Sequence, residues 1–121
     1  MATKAQQKDF IEKIAPLAQR EMKKSDILAS ITIAQAILES GWGLSGLTRK
    51  SNNLFGIKGS GISSATFEVV GGKRIDIVGS FRTYSDWEES VSDHTRLLML
   101  PRYRNIVGEK DFRKACRICI C

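Results

Sequence analysis

The chain has 121 residues, with 19 Lys and Arg against 13 Asp and Glu, a net charge of +6. That length predicts one domain with a buried core and excludes two, and no stretch approaches the ~20 apolar residues needed to span a bilayer. The positive balance suits polyanions such as anionic wall polymers; with no basic run interleaved with aromatics and no nucleic-acid motif, nucleic acid is not an expected partner.

Met1 to Asp9 are polar and lack the apolar centre of a secretory signal, so synthesis in a cytoplasm is expected. Thr3 with Gln6 reads as a capping box. Phe10, Ile14, Leu17 and Ala18 continue at helical spacing, with Pro16 predicted to divide this first helix into two pieces. Ser25 and Ser30 are candidate N-caps for the next segment. That segment, Ile31 to Ser40, is apolar almost all round, and Gly41 is placed to stop it. Its polar residues Thr32, Gln35 and Glu39 fall on one stripe, which predicts that they face a groove. Glu39 lies in the last turn, where the helix dipole and burial against a neighbour such as Trp42 both oppose a carboxylate's charge. A carboxyl that keeps its proton can serve as a general acid; the alternative is a glutamate paired with Arg49 or Lys50.

Leu44 to Gly61 is rich in turn residues and reads as a structured loop anchored by Leu54, Phe55 and Ile57. Ala65 to Tyr84 switches to period two, with Gly71-Gly72 marking a hairpin. A three-residue loop, Gly71 to Lys73, sets Phe67 and Val69 opposite Ile77 and Ile75 and is the expected register. Glu68 then faces away from the apolar side, beside Arg74 and Asp76. Ser80 to Tyr84 is a candidate third strand. Asp86 with Glu89 resembles a capping box opening a helix whose inner face is Trp87, Val91, Thr95 and Leu98, ended by Pro101. His94 falls beside that stripe and is expected to be a partly buried or surface residue, since no nucleophile motif accompanies it. A last helix is predicted to start near Glu109. Cys116, Cys119 and Cys121 lack a fourth metal ligand nearby and read as helix-face residues, so neither metal nor cofactor is expected.

Taken together, the blocks Ala34-Gln35-Ala36-Ile37-Leu38-Glu39-Ser40-Gly41-Trp42-Gly43, Asn52-Asn53-Leu54-Phe55-Gly56-Ile57-Lys58, Thr66-Phe67-Glu68, Phe81-Arg82-Thr83-Tyr84, Glu89-Ser90 and Arg102-Tyr103 resemble the peptidoglycan-cleaving endo-β-N-acetylglucosaminidases of glycoside hydrolase family 73. The resemblance runs from about Phe10 to Ala115. It implies an α+β, mainly α fold: a lysozyme-like helical lobe, with a small β-hairpin lobe at about residues 62–84 across a groove for a glycan strand. The C-terminal helix reads as cut short, because family members commonly continue past the position of Ala115. Ala29 stands where the family often has a proline, which favours merging of the first two helices.

By the same resemblance, Glu39 matches the family's general acid and Glu68 the acidic residue of the hairpin lobe. Trp42, Asn53, Phe55 and Gly56 match the groove-bordering loop, and Tyr84 and Tyr103 the two motif tyrosines. Some have a plainer alternative: Trp42 and Phe55 as core seals, Tyr84 as hairpin packing, and Asn53, with its neighbour Asn52, as a turn residue bonded to backbone. The implied reaction is hydrolysis of the β-1,4 bond after N-acetylglucosamine in bacterial peptidoglycan. Glu68 would act as base or nucleophile, or would orient the substrate's own acetamido group. A non-catalytic peptidoglycan-binding module and an N-acetylmuramidase on the same scaffold are the alternatives. Small size without wall-anchoring repeats suits a phage or prophage lysin.

Overall fold

The computed structural model describes the backbone of residues 1–120 and side chains through Arg117. Among the described residues there are five α-helices, α1 (Lys4–Ser25), α2 (Ala29–Ser40), α3 (Gly46–Ser51), α4 (Trp87–Leu98) and α5 (Phe112–Ile120), and a largely exposed two-stranded antiparallel hairpin, β1 (Gly61–Val70) and β2 (Lys73–Arg82). A 3₁₀ segment, Pro101–Ile106, links α4 to α5. This is the α+β, mainly α architecture that the sequence implies. None of the described helices is long and apolar enough to cross a membrane.

The Thr3 and Gln6 capping box is present, but α1 runs unbroken through Pro16. The break comes later, where Asp26 takes a left-handed φ of 63° and ends α1 before Ala29 starts α2. The two helices are therefore neither split at Pro16 nor merged at Ala29. Neither predicted serine caps α2: its N-cap is Leu28, without a side-chain bond. Ser25 instead folds back to accept from the Ile27 backbone N–H. Within the loop predicted for Leu44 to Gly61, Ser45 caps the short helix α3. Asp86 caps α4 as expected, accepting from the Glu89 backbone at 2.8 Å. Pro101 opens the 3₁₀ segment rather than ending α4, and α5 starts at Phe112 rather than Glu109.

Two apolar clusters organise the helices. Phe10, Ile14, Ala36, Leu54, Phe55 and Val91 bind α1, α2, α4 and the Asn53 loop together. Ile27, Ile31, Leu98, Ile106 and Ala115 join α2 and α4 to the chain's C-terminal part. Cys116 packs at the edge of this second cluster, on the helix face expected of it. The side chains of Cys119 and Cys121 lie outside the described residues.

The hairpin differs from the expected register. Its loop has two residues: Val70 pairs with Lys73, Glu68 with Ile75 and Phe67 with Asp76. Gly71 and Gly72 both have positive φ, 57° and 79°, the backbone a tight primed turn requires. Most side chains near the tip are exposed on both faces, so burial does not select a register there and turn geometry does. Glu68 consequently shares a face with Thr66, Ile75, Ile77 and Phe81, not with Arg74 and Asp76. Ser80 to Arg82 complete β2 instead of forming a third strand.

Candidate active site

Helix α2 ends under tight local control. Ser40 is fully buried; its Oγ donates to the Ala36 carbonyl and accepts from Gly43 N–H at 2.8 Å. Gly41, Trp42 and Gly43 then take left-handed φ values of 54°, 62° and 77° in succession. A bulky residue such as Trp42 rarely adopts this conformation. Its ring is held edge-on to Phe10, with centroids 6.1 Å apart. Gly43 admits no side chain, since a Cβ there would sit 2.9 Å from the Trp87 ring.

This turn carries Trp42 away from Glu39. Trp42 lines a small hollow with Gln6, Asp9, Phe10 and Trp87, on the α1 side of the molecule. Trp42 thus packs the core and lines neither cavity that Glu39 lines, and the Glu39 side chain is exposed rather than sheltered. It nevertheless stands in a trough. A cavity of about 310 Å³, lined by Gln35, Glu39, Phe55, Ile57, His94, Leu97, Leu98, Arg102 and Tyr103, lies toward α4 and the 3₁₀ segment. A second, of about 460 Å³, is lined by Glu39, Gly56 and Lys58 and by Ser64, Thr66 and Phe81 of the hairpin base. Glu39 belongs to both. Gly56 adjoins Glu39 with a left-handed φ of 65°, a conformation that favours glycine; a Cβ there would lie 3.4 Å from Glu39 Oε2, an ordinary contact.

The loop that brings Phe55 and Gly56 to Glu39 is braced by Asn53. That side chain is 1% exposed; its amide donates to the carbonyls of Ile57 and Arg82, both at 2.9 Å. Its carbonyl oxygen accepts from the backbone N–H groups of Phe55 and Ile57. Three of these bonds fold the loop on itself and the fourth, to Arg82, ties it to β2. Asn52 similarly donates to the Tyr84 carbonyl at 3.1 Å. Ser90, in α4, accepts from Leu54 N–H and holds the loop from the other side.

Tyr84 is buried, and its hydroxyl donates to Asp93. Burial first, and then this bond, raise the phenol's pKa well above its ordinary value. Asp93 also accepts from Arg82 at 2.8 Å and from Arg96 at 2.9 Å. Burial alone would raise the Asp93 pKa, but the bonds from Tyr84, Arg96 and Arg82 outweigh it and hold the carboxyl below its usual range. A wider depression of about 630 Å³ lies over this cluster. Asp93 already engages both of its arginines, and Glu39 is not part of it. Tyr84 is thus a brace at the hairpin root, whereas Tyr103 lines a Glu39 cavity.

Glu68 is not among the residues lining either Glu39 cavity. It lies on the same hairpin face as Thr66, two residues and so about 7 Å further along the strand. Its carboxylate pairs with Lys58 Nζ at 3.5 Å, with both side chains at least half exposed. Such a pair contributes little and releases easily.

His94 departs most from its expected place. It is 7% exposed, and its Nε2 lies 2.5 Å from Gln35 Oε1. Burial pushes its pKa down to about 4, only partly offset by Asp93, so the ring is neutral at pH 7. Sequence reasoning passed over His94 as a site residue because it sought a nucleophile partner; the available signal was Gln35 on the polar stripe of α2. Among the described residues no group of His, Cys, Asp and Glu side chains is arranged to hold a metal.

A family model described as mannosyl-glycoprotein endo-beta-N-acetylglucosaminidase matches residues 15–119. The chain belongs to this glucosaminidase family. It is 47% identical over 120 residues to the exo-glucosaminidase LytG of Bacillus subtilis, covering 91% of this chain and 43% of LytG. It is 36% identical over 108 residues to the peptidoglycan hydrolase FlgJ of Pseudomonas aeruginosa, covering 80% of this chain and 27% of FlgJ. The chain therefore spans less than half the length of these curated relatives. Among solved structures, the catalytic domain of the autolysin Auto from Listeria monocytogenes superposes with a TM-score of 0.84 at 31% identity, covering 98% of this chain and 75% of that one.

Proposed function

We propose that this glucosaminidase-family chain hydrolyses the β-1,4 bond after N-acetylglucosamine in bacterial peptidoglycan, with residues 1–121 acting as one lysozyme-like unit. The observation that carries the proposal is the position of Glu39, whose carboxylate is common to two cavities. A glycan strand lying along both would place an inter-sugar oxygen at Glu39. Protonation of that oxygen turns a poor leaving group into a good one while positive charge builds on the sugar ring. The bound glycan would also cover the exposed carboxylate and exclude water from it.

Glu68 reaches the strand only from the far part of the hairpin's groove face. Movement of the hairpin about its root at Asn53 and Tyr84, with release of Lys58, would bring it to the sugar. In the proposal it then acts as base, or stabilises the substrate's own acetamido group. Muropeptide analysis of borohydride-reduced digests tests the reading. Reduced N-acetylglucosamine ends from wild type, absent with Glu39→Gln, are the expected result. Reduced muramic acid ends would identify a muramidase, and sedimentation with walls but no new ends a binding module. Clearing of a cell-wall zymogram tests whether cleavage is bacteriolytic.

A further inference from the structure

We infer that Gln35, held in one orientation by His94, is a specificity-determining donor that recognises the carbonyl of an N-acetyl group in the cavity beside Glu39. The inference rests on the glycan-cleaving reading and adds a substrate group and the two residues that select it. Gln35 and Glu39 are i and i+4 on α2, so they stand one above the other on the same face, and both line the 310 Å³ cavity.

His94 makes its one hydrogen bond among the described residues to Gln35, and its Nδ1 is buried without a partner. An orphaned buried nitrogen costs about 1–3 kcal/mol, so the ring is a poor choice if packing were its only role. A neutral imidazole has one N–H, and with Nε2–H donating to Gln35 Oε1 the amide cannot rotate without losing that bond. The NH₂ of Gln35 is left turned away from the ring, and no group among the described residues accepts from it. Ring stacking on Phe55, with centroids 3.9 Å apart, fixes His94 in turn.

Phe55, Ile57, Leu97 and Leu98 give the cavity apolar walls, and Arg102 and Tyr103 complete its lining. The fixed Gln35 donor beside these apolar side chains matches an acetamido group, which offers a carbonyl oxygen and a methyl. It matches a free ammonium poorly, because an ammonium has no lone pair with which to accept from Gln35.

The test uses chemically de-N-acetylated glycan strands and the same preparation re-acetylated with acetic anhydride, with release of reducing ends as the readout. Wild type should prefer the re-acetylated strands. Gln35→Ala should lower kcat/KM on them about tenfold, the scale of one neutral hydrogen bond, with little change on the de-acetylated strands. His94→Phe keeps the stacked ring and removes the donor, so it should lose the same preference while its unfolding midpoint holds or rises. In Gln35→Ala/His94→Phe the losses should not add. Equal losses on both substrates, or loss in Gln35→Ala but none in His94→Phe, would overturn the inference. Calorimetric binding of both preparations to Glu39→Gln, with and without Gln35→Ala, reads the preference without turnover. A preference there, together with a wild type that releases no reducing ends, would sink the hydrolase reading and leave this one standing; no preference there would sink this one.

Discussion

The imidazole of His94 lies almost parallel to the ring of Phe55, with 3.9 Å between centroids and 13° between planes. One face of a titratable ring is thus closed by an apolar one, on the wall of the cavity that contains Glu39. Around it stand Gln35, Glu39, Arg102 and Tyr103 lining the same cavity and Asp93 next in sequence.

The stack makes stability depend on pH. An unfolded histidine titrates near 6.5, while the folded ring does so near 4. Between these values the unfolded chain binds the extra proton, so stability is full above pH 6.5 and falls as pH drops toward 4. A loss of order 3 kcal/mol is expected. Asp93, whose carboxyl is held below its usual range, adds a further loss at the acid end. Urea unfolding at pH 7, 5.5 and 4 checks this, with His94→Phe removing most of the slope above pH 4.5 and Asp93 supplying what remains below it.

Glu39→Gln keeps the shape of the α2 terminus but cannot donate a proton to the leaving oxygen. Turnover of peptidoglycan should fall by about 10²- to 10⁴-fold, with binding to isolated walls retained. Reducing-end release and a wall-sedimentation assay on the same preparation separate the two effects.

Glu68→Gln should cost less in kcat than Glu39→Gln and leave the unfolding midpoint nearly unchanged, because its pair with Lys58 is solvent-exposed. Lys58→Ala frees Glu68 and should not reduce kcat by a comparable factor. If Lys58→Ala matched Glu68→Gln in full, the pair itself, rather than the carboxylate, would be what catalysis needs.

Asn53→Ala removes four hydrogen bonds at a site that is 1% exposed and takes their side-chain acceptor from the backbone N–H groups of buried Phe55 and half-buried Ile57. A destabilisation of about 2–4 kcal/mol is expected. Because the loop holds Gly56 against Glu39, activity measured well below the unfolding midpoint should fall as well. Full activity in a destabilised but folded variant would separate Asn53 from the geometry of the site.

Local chemistry made much of this molecule legible in the sequence. The Thr3 and Asp86 caps, the Gly41 stop, the buried faces of α2 and α4 and the position of the hairpin follow from short-range rules, since caps and turns are decided within a few residues. The polar stripe that brings Gln35 and Glu39 to one groove also follows from helical periodicity alone. Pro16 misled because a proline within a helix costs only a few kcal/mol, which the burial of Phe10, Ile14 and Ala18 on both sides of it can outweigh.

What the sequence by itself determined was the set of elements and which carboxylate ends the central helix. Tertiary structure alone decided which side chains reach that carboxylate. The left-handed turn at Gly41 to Gly43 sends Trp42 to Phe10, the Asn53 brace carries Gly56 to Glu39, and the two-glycine loop turns Glu68 onto the groove face. His94 is drawn into the wall between Phe55 and Gln35. Apart from the two-glycine loop, whose backbone geometry is local, each of these depends on contacts between residues distant along the chain, and helical or strand periodicity holds no information about such partners.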